Sequence, residues 1–385
     1  MTSSAKPRLA ILSQNCFAQC DLPVIPALAT EFDISWTIFF PRDDSVGYSA
    51  EEFEAEARNL GVTVDLIRLP HRLRSIRTLA SFSRILKRIR STSPDLIYVN
   101  ATGHPWLGPT VRAMMPLNRV LWALHDVVEH GSHGQYRLFS LYKKFLMSTF
   151  RKFHALSDNQ AALIRQACPG SHVFVAPHPP LDPGRTDAQP PTHIVRFLYF
   201  GNIAPYKGVD VLIEAAQIAW ENGVRGFEVV VAGKADDWSP YQHLVRIPEV
   251  FRFDIRRIPT AEIPDLFGTS HWLVLPYRHL TQSGPLSMAH RYGLPAITSD
   301  LPQFEEFLEP GNSSLSFRTN DASSLASILS KAVVSHATEY AGYRGRMSSL
   351  AMTRFSSKSA SDAYVAMMHS AIPPSPLPTR MDPVR

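Results

Sequence analysis

The chain has 385 residues, 45% of them hydrophobic and 19% charged, which is enough for two globular domains and excludes a disordered chain. Its three cysteines, Cys16, Cys20 and Cys168, are too few for a disulfide scaffold and have no nearby histidine pair for zinc, so reduced thiols are expected. No apolar run approaches the ~20 residues of a membrane-spanning helix.

Residues 8–12 form the first apolar run and read as a strand, not as the core of a secretory leader. Residues 34–40 read as a second strand, ended by Pro41, and residues 62–69 as a third. Residues 72–90 then hold Arg72, Arg74, Arg77, Arg84, Lys87, Arg88 and Arg90 and no acid. As a helix, that stretch puts Arg77, Arg84 and Arg88 on one face, opposite Leu79, Phe82, Leu86 and Ile89. Residues 96–99 are a short buried strand, and residues 120–124 another, ending at His125-Asp126. A second acid-free basic stretch covers residues 137–152, where Arg137, Lys144 and Arg151 align on a helix. Residues 173–176 are the last strand of this series and run into Pro177-His178-Pro179-Pro180.

The Pro- and Asp-rich segment that follows cannot form a core and reads as a linker. A second strand–helix series begins at Arg196, with strands at 197–200, 227–231, 250–253, 272–275, 296–297 and 314–317. Alternation of this kind predicts two parallel-sheet α/β domains, both Rossmann-like and facing each other across a cleft. The expected boundaries are 1–180, a linker at 181–195, and 196–350. A helix near 355–371 is expected to pack back on the first domain, and the Pro-rich stretch 372–385 is read as a flexible tail.

Two loops in the second half carry phosphate chemistry. An apolar strand ends at Leu275-Pro276-Tyr277, and Ser283-Gly284-Pro285-Leu286 opens a helix. A helix N-terminus presents unpaired N–H groups and partial positive charge to an anion. Upstream, a strand meets Gly201, and Lys207-Gly208 opens another helix, where an ammonium can meet the same anion. In a parallel sheet both loops lie at the carboxyl ends of strands, where ligands bind.

At these residues the second half resembles the nucleotide-sugar-binding domain of family 4 retaining glycosyltransferases of GT-B architecture. The matching pieces are Gly201 with Lys207-Gly208, residues 255–267, Leu275-Pro276-Tyr277, Thr281-Gln282-Ser283-Gly284, Gly293-Leu294-Pro295, and Glu306 after Asp300. The first half matches more loosely, at His125-Asp126, His154-Ala155-Leu156-Ser157 and Pro177-His178. The resemblance implies transfer of a sugar from a nucleoside-diphosphate donor to a glycan or lipid-linked acceptor, with retention and with no bound metal or other cofactor. It places His125 and Asp126 at the reacting centre. Asn202, Lys207, Ser283, Gly284, Pro285, Leu286 and Glu306 fall to the donor nucleotide. Three departures are visible. Asn202 stands where an arginine is usual, and Ser13-Gln14-Asn15 replaces a Gly-Gly loop. Leu280 and Met288 occupy the positions of a Glu-x7-Glu pair, whose first member is also missing from a subgroup with Thr-Gln-Ser-Gly in this loop.

Simpler readings stand beside these. His125-Asp126 can cap the next helix, His154 can be satisfied locally, Lys234 can be an exposed loop lysine, and Glu306 can merely start a helix. The missing carboxylates leave an inactive GT-B partner subunit as the alternative, and a sugar-nucleotide epimerase as a weaker one. The two basic stretches are either solvated faces or a docking surface for an anionic membrane, worth ~1 kcal/mol per basic residue. They lack a nucleic-acid motif. The expected location is the cytoplasm, peripheral to the membrane's inner face.

Overall fold

The computed structural model describes residues 5–42, 50–58, 60–72, 75–101, 104–125, 136–280 and 283–374. The first domain alternates β1 (Arg8–Gln14), α1 (Asn15–Asp21), α2 (Ile25–Glu31), β2 (Asp33–Phe40), α3 (Ala50–Ala57), β3 (Thr63–Arg68), α4 (Thr78–Ser91), β4 (Leu96–Asn100), α5 (Leu107–Met114), β5 (Val120–Ala123), α6 (Tyr136–Thr149), β6 (Lys152–Ala155), α7 (Asp158–Ala167) and β7 (His172–Val175). The seven strands are parallel in the order β3-β2-β1-β4-β5-β6-β7. The central strands are buried on both faces, so they read as continuous apolar runs rather than as alternation. Residues 96–100 are buried without exception.

The second domain contains β8 (Val195–Phe200), α8 (Val209–Glu221), β9 (Phe227–Ala232), α9 (Ser239–Gln242), β10 (Phe251–Asp254), α10 (Ile263–Gly268), β11 (Trp272–Leu275), α11 (Gly284–Tyr292), β12 (Ala296–Ser299), β13 (Ser314–Phe317), α12 (Ala322–Val334) and α13 (His336–Thr353). Its six parallel strands run β10-β9-β8-β11-β12-β13. Two Rossmann-like domains result.

The last helix, α14 (Ser357–Ala371), returns to the first domain. Its Tyr364, Met367, Met368 and Ala371 are buried with Ile25, Leu28 and Phe32, and Lys152 Nζ donates to the Ala371 carbonyl at 2.6 Å. The connecting segment lies along the second domain. Asp182 pairs with Arg291, the Gly184 carbonyl accepts the Tyr292 hydroxyl at 2.9 Å, and the Thr186 hydroxyl donates to Asp265.

Two details differ from the sequence reading. β6 is a strand that the apolar pattern did not mark, because its four residues include Lys152 and His154. The second basic stretch is not one helix, since Arg151 and Lys152 lie beyond the end of α6. Among the described residues no helix is long and apolar enough to cross a membrane.

Candidate active site

Each sheet reverses its strand order beside its first strand, between β1 and β4 and between β8 and β11. Such a switch opens a crevice at the carboxyl ends of the strands.

In the second domain, β8 ends at Gly201, with φ 117°. A Cβ there would lie 3.3 Å from Pro285 Cγ and 3.5 Å from Lys207 Nζ, so the loop after β8 meets the start of α11. Lys207 closes a short 3-10 turn, and Gly208, at φ 64°, caps α8. A Cβ at Gly208 would fall 1.9 Å from the Pro276 carbonyl oxygen, so only glycine fits. Arg278 braces the turn. Its guanidinium donates to the Pro205 carbonyl and forms two bonds to Asp210, at 2.9 and 2.6 Å.

Lys207 Nζ lies 5.9 and 5.6 Å from the ring centres of Tyr206 and Tyr277. Among the described residues no carboxylate pairs with it. Burial pushes its ammonium down to about 8. A desolvated cation without a counter-ion is favourable only where an anion will join it. Asn202, next to Gly201 in sequence, and Lys234 are both exposed.

The start of α11 is a narrower cradle than its sequence implies. Ser283 is the N-cap, and its Oγ accepts the Leu286 N–H at 3.2 Å. Pro285 has no N–H. The Gly284 N–H, at N1, has no partner among the described residues, and a Cβ there would meet nothing within 4 Å. Leu280 and Met288 are buried in the apolar core. A narrow cleft runs from Ser283, Gly284 and Ser287 to Pro177 and His178, at the junction of the domains.

Glu306 ends a 3-10 turn and does not start a helix. Its carboxylate crosses to the first domain and accepts the backbone N–H groups of Asp158 and Asn159, at 3.0 and 2.9 Å. These are the first two residues of α7, whose orphan N–H groups attract an anion. Glu306 therefore links the domains.

In the first domain His125 follows β5. Its Nε2 meets Asn100 Oδ1 at 2.5 Å, and its carbonyl accepts Gln160 Nε2 at 2.6 Å. Its ring stacks on Phe17 with centroids 4.1 Å apart. Burial, and then His178 and His154, hold its pKa well below the ordinary histidine value. The ring is therefore neutral at pH 7. Asn100 is bonded in turn to Asp21, at 2.8 Å. Sequence reasoning missed Asp21, Asn100, Phe17 and Gln160. Their one signal is position, since Asn100 ends β4 and the other three sit on helices that follow strands.

Asp126 lies outside the described residues, as do Thr281 and Gln282. His154 is satisfied locally, by the Tyr98 hydroxyl at 2.8 Å and the Ala176 carbonyl at 2.9 Å. Cys20 Sγ meets His178 Nε2 at 2.9 Å, and among the described residues no cluster of His, Cys, Asp or Glu could hold a metal ion.

Residues 195–334 match the family model described as glycosyl transferases group 1. The second domain is a glycosyltransferase domain. No curated protein matches the chain. Solved structures match the fold of the chain across both domains. Anabaena Alr3699/HepE in complex with UDP and glucose is 16% identical, with a TM-score of 0.71 over 94% of this chain and 100% of that one. Sucrose-phosphate synthase from Thermosynechococcus elongatus is 15% identical, with a TM-score of 0.69 over 95% and 99%. The lipopolysaccharide outer core galactosyltransferase WaaB is 14% identical, with a TM-score of 0.66 over 94% and 99%. At these identities the likeness establishes the fold, which is the GT-B arrangement of glycosyltransferases.

Proposed function

We propose that this glycosyltransferase moves a sugar from a nucleoside-diphosphate donor to a glycan or lipid-linked acceptor, with retention and without a metal, in the manner of family 4. The carrying observation is Lys207, a desolvated ammonium with no carboxylate partner among the described residues, beside Gly201 and the N–H of Gly284. The diphosphate sits against these groups, and the donor sugar extends toward His125 in the opposite domain. The C1–O bond to phosphate breaks, a C1–O bond to the acceptor hydroxyl forms, and the hydroxyl proton passes to the leaving diphosphate. A UDP-sugar is the first donor to try, since Anabaena HepE is described in complex with UDP-glucose.

Asn202, Ser283 and Gly284 complete the donor pocket. Glu306 either stays on α7 or exchanges its helix N-terminus for a bound nucleotide. Asp126, next to His125, belongs to the reacting centre. The acceptor lies on the first domain, and the exposed basic face of α4 docks it to an anionic membrane surface on the cytoplasmic side, in surface polysaccharide or glycoconjugate synthesis.

A second reading is a catalytically inactive partner subunit, favoured by the burial of Leu280 and Met288 where a Glu pair is usual. Thermal shift against UDP-, GDP- and TDP-sugars, followed by assay of released nucleoside diphosphate, separates the two. Binding without release at any acceptor supports the inactive subunit.

A further inference from the structure

A chain of buried hydrogen bonds runs behind His125, and its direction is fixed from the far end. The Trp36 indole N–H can only donate, and it donates to Ser13 Oγ at 3.0 Å. Ser13 in turn gives its own hydrogen to Asp21 Oδ2, at 2.7 Å. Asp21 Oδ1 accepts Asn100 Nδ2 at 2.8 Å. Asn100 is thereby oriented with Oδ1 facing His125, because the flipped amide would set oxygen against the Asp21 carboxyl oxygen. His125 must then donate from Nε2, across the 2.5 Å contact. Trp36, Ser13, Asp21 and Asn100 are each no more than 1% exposed, so water does not compete for these bonds.

We propose that Asp21 and Asn100 are positioning residues that fix the His125 tautomer, with the proton on Nε2 and the lone pair on Nδ1. Nδ1 has no partner among the described residues. His125 therefore meets its substrate as a hydrogen-bond acceptor, and the group it recognises is a hydroxyl of the donor sugar. Burial raises the Asp21 carboxyl to about 7, so the direction of the relay is set with Asp21 ionised, when both of its oxygens accept, from Ser13 and from Asn100. Stacking on Phe17 fixes the ring plane, so the lone pair has one direction. The tautomer is a property of the unliganded chain. The hydroxyl assignment rests on the transferase reading.

The test is nitrogen NMR of the full chain labelled at histidine, in the native protein and in the Asn100→Leu and Asp21→Asn variants. His154 is an internal control, because its partners are the Tyr98 hydroxyl and the Ala176 carbonyl. The expected native result is a protonated Nε2 and an unprotonated Nδ1 at His125. In Asn100→Leu the His125 shifts move toward a mixture of tautomers while His154 is unchanged, which also reports an intact fold. Asp21→Asn retains volume and shifts His125 less. A native Nδ1–H tautomer, or an Asn100→Leu variant with unchanged His125 shifts, overturns the proposal. The second readout is kinetic: Asn100→Leu should lower kcat about 10–100-fold while KM for the donor changes little. A native chain that binds no nucleotide sugar defeats the transferase reading and leaves the tautomer result standing. A tautomer shift with kcat unaltered overturns the part of the proposal that has His125 accept from substrate.

Discussion

The carboxylate of Glu306, in the second domain, accepts the backbone N–H of Asn159, in the first, at 2.9 Å. Together with the neighbouring bond to Asp158, it is a charge-assisted contact between domains that the linker alone would leave free to rotate. Glu306→Ala should lower stability by about 1–2 kcal/mol, the scale of an anion at a partly buried helix N-terminus. It should also broaden the distribution of interdomain distances seen by small-angle scattering. Identical scattering and unfolding curves would show that the contact holds nothing.

Lys207 gives a pH prediction with a definite sign. Its ammonium titrates near 8 in the free protein because burial disfavours the charge. A bound diphosphate favours the charged form, so affinity for nucleoside diphosphate is full below pH 8 and falls as pH rises through it. The limiting slope is about tenfold per unit, since the pKa difference between states is a binding free energy. Lys207→Arg should remove the dependence between pH 7 and 9.5. A flat native profile in calorimetry would place the diphosphate elsewhere.

Gly284 and Gly208 should behave as opposites. Gly284 is surrounded by open space, so Gly284→Val should fold with the native melting point and lose turnover. Gly208→Ala meets the Pro276 carbonyl and carries a left-handed φ, so it should cost on the order of 3 kcal/mol or more. Retained turnover in folded Gly284→Val would remove the phosphate cradle from the account.

Much of this was legible in the sequence because buried parallel strands write themselves as apolar runs. The loops at Gly201, Lys207 and Ser283-Gly284 were legible for a similar reason, since glycine and proline punctuate strand–helix turns. The relay behind His125 was not legible. It joins residues 79 and 25 positions apart through side chains whose neighbours only the sheet order determines. Nor was the partner of Glu306, which lies 148 positions away on another domain. β6 escaped notice because a four-residue strand with a lysine and a histidine carries too little periodicity.

Acid should destabilise the unliganded chain below pH 6.5. Burial lowers His154 and His290 to about 4, and His104 and His271 likewise. Their contribution is complete above the unfolded value of about 6.5 and is lost as pH falls toward 4. Asp21 acts in the opposite direction. Its raised pKa means the folded state keeps a proton that the unfolded state releases. Four histidines outweigh one aspartate, so the urea midpoint should be lower at pH 5 than at pH 7.5. A higher midpoint at pH 5 would mean that Asp21 dominates.

The proposed membrane docking rests on α4. Arg88 is paired with Asp65 at 3.0 Å, and Arg90 turns to the Met114 carbonyl, while Arg77, Arg84 and Lys87 are exposed, with Ile76 exposed beside Arg77. Replacing Arg77, Arg84 and Lys87 by Gln should release the protein from vesicles containing anionic lipid, at low salt, without altering nucleotide affinity. Equal retention of both proteins would make α4 a solvated face.

The most direct measurement of the central claim is calorimetric titration of UDP and a panel of nucleotide sugars into the native chain and into Lys207→Ala. The account predicts saturable binding of at least one nucleoside diphosphate by the native chain. It predicts a loss of about 1.5–3 kcal/mol in Lys207→Ala, the worth of a charge-assisted hydrogen bond. Equal affinity of the two proteins for that nucleotide, or no binding by the native chain, would contradict it.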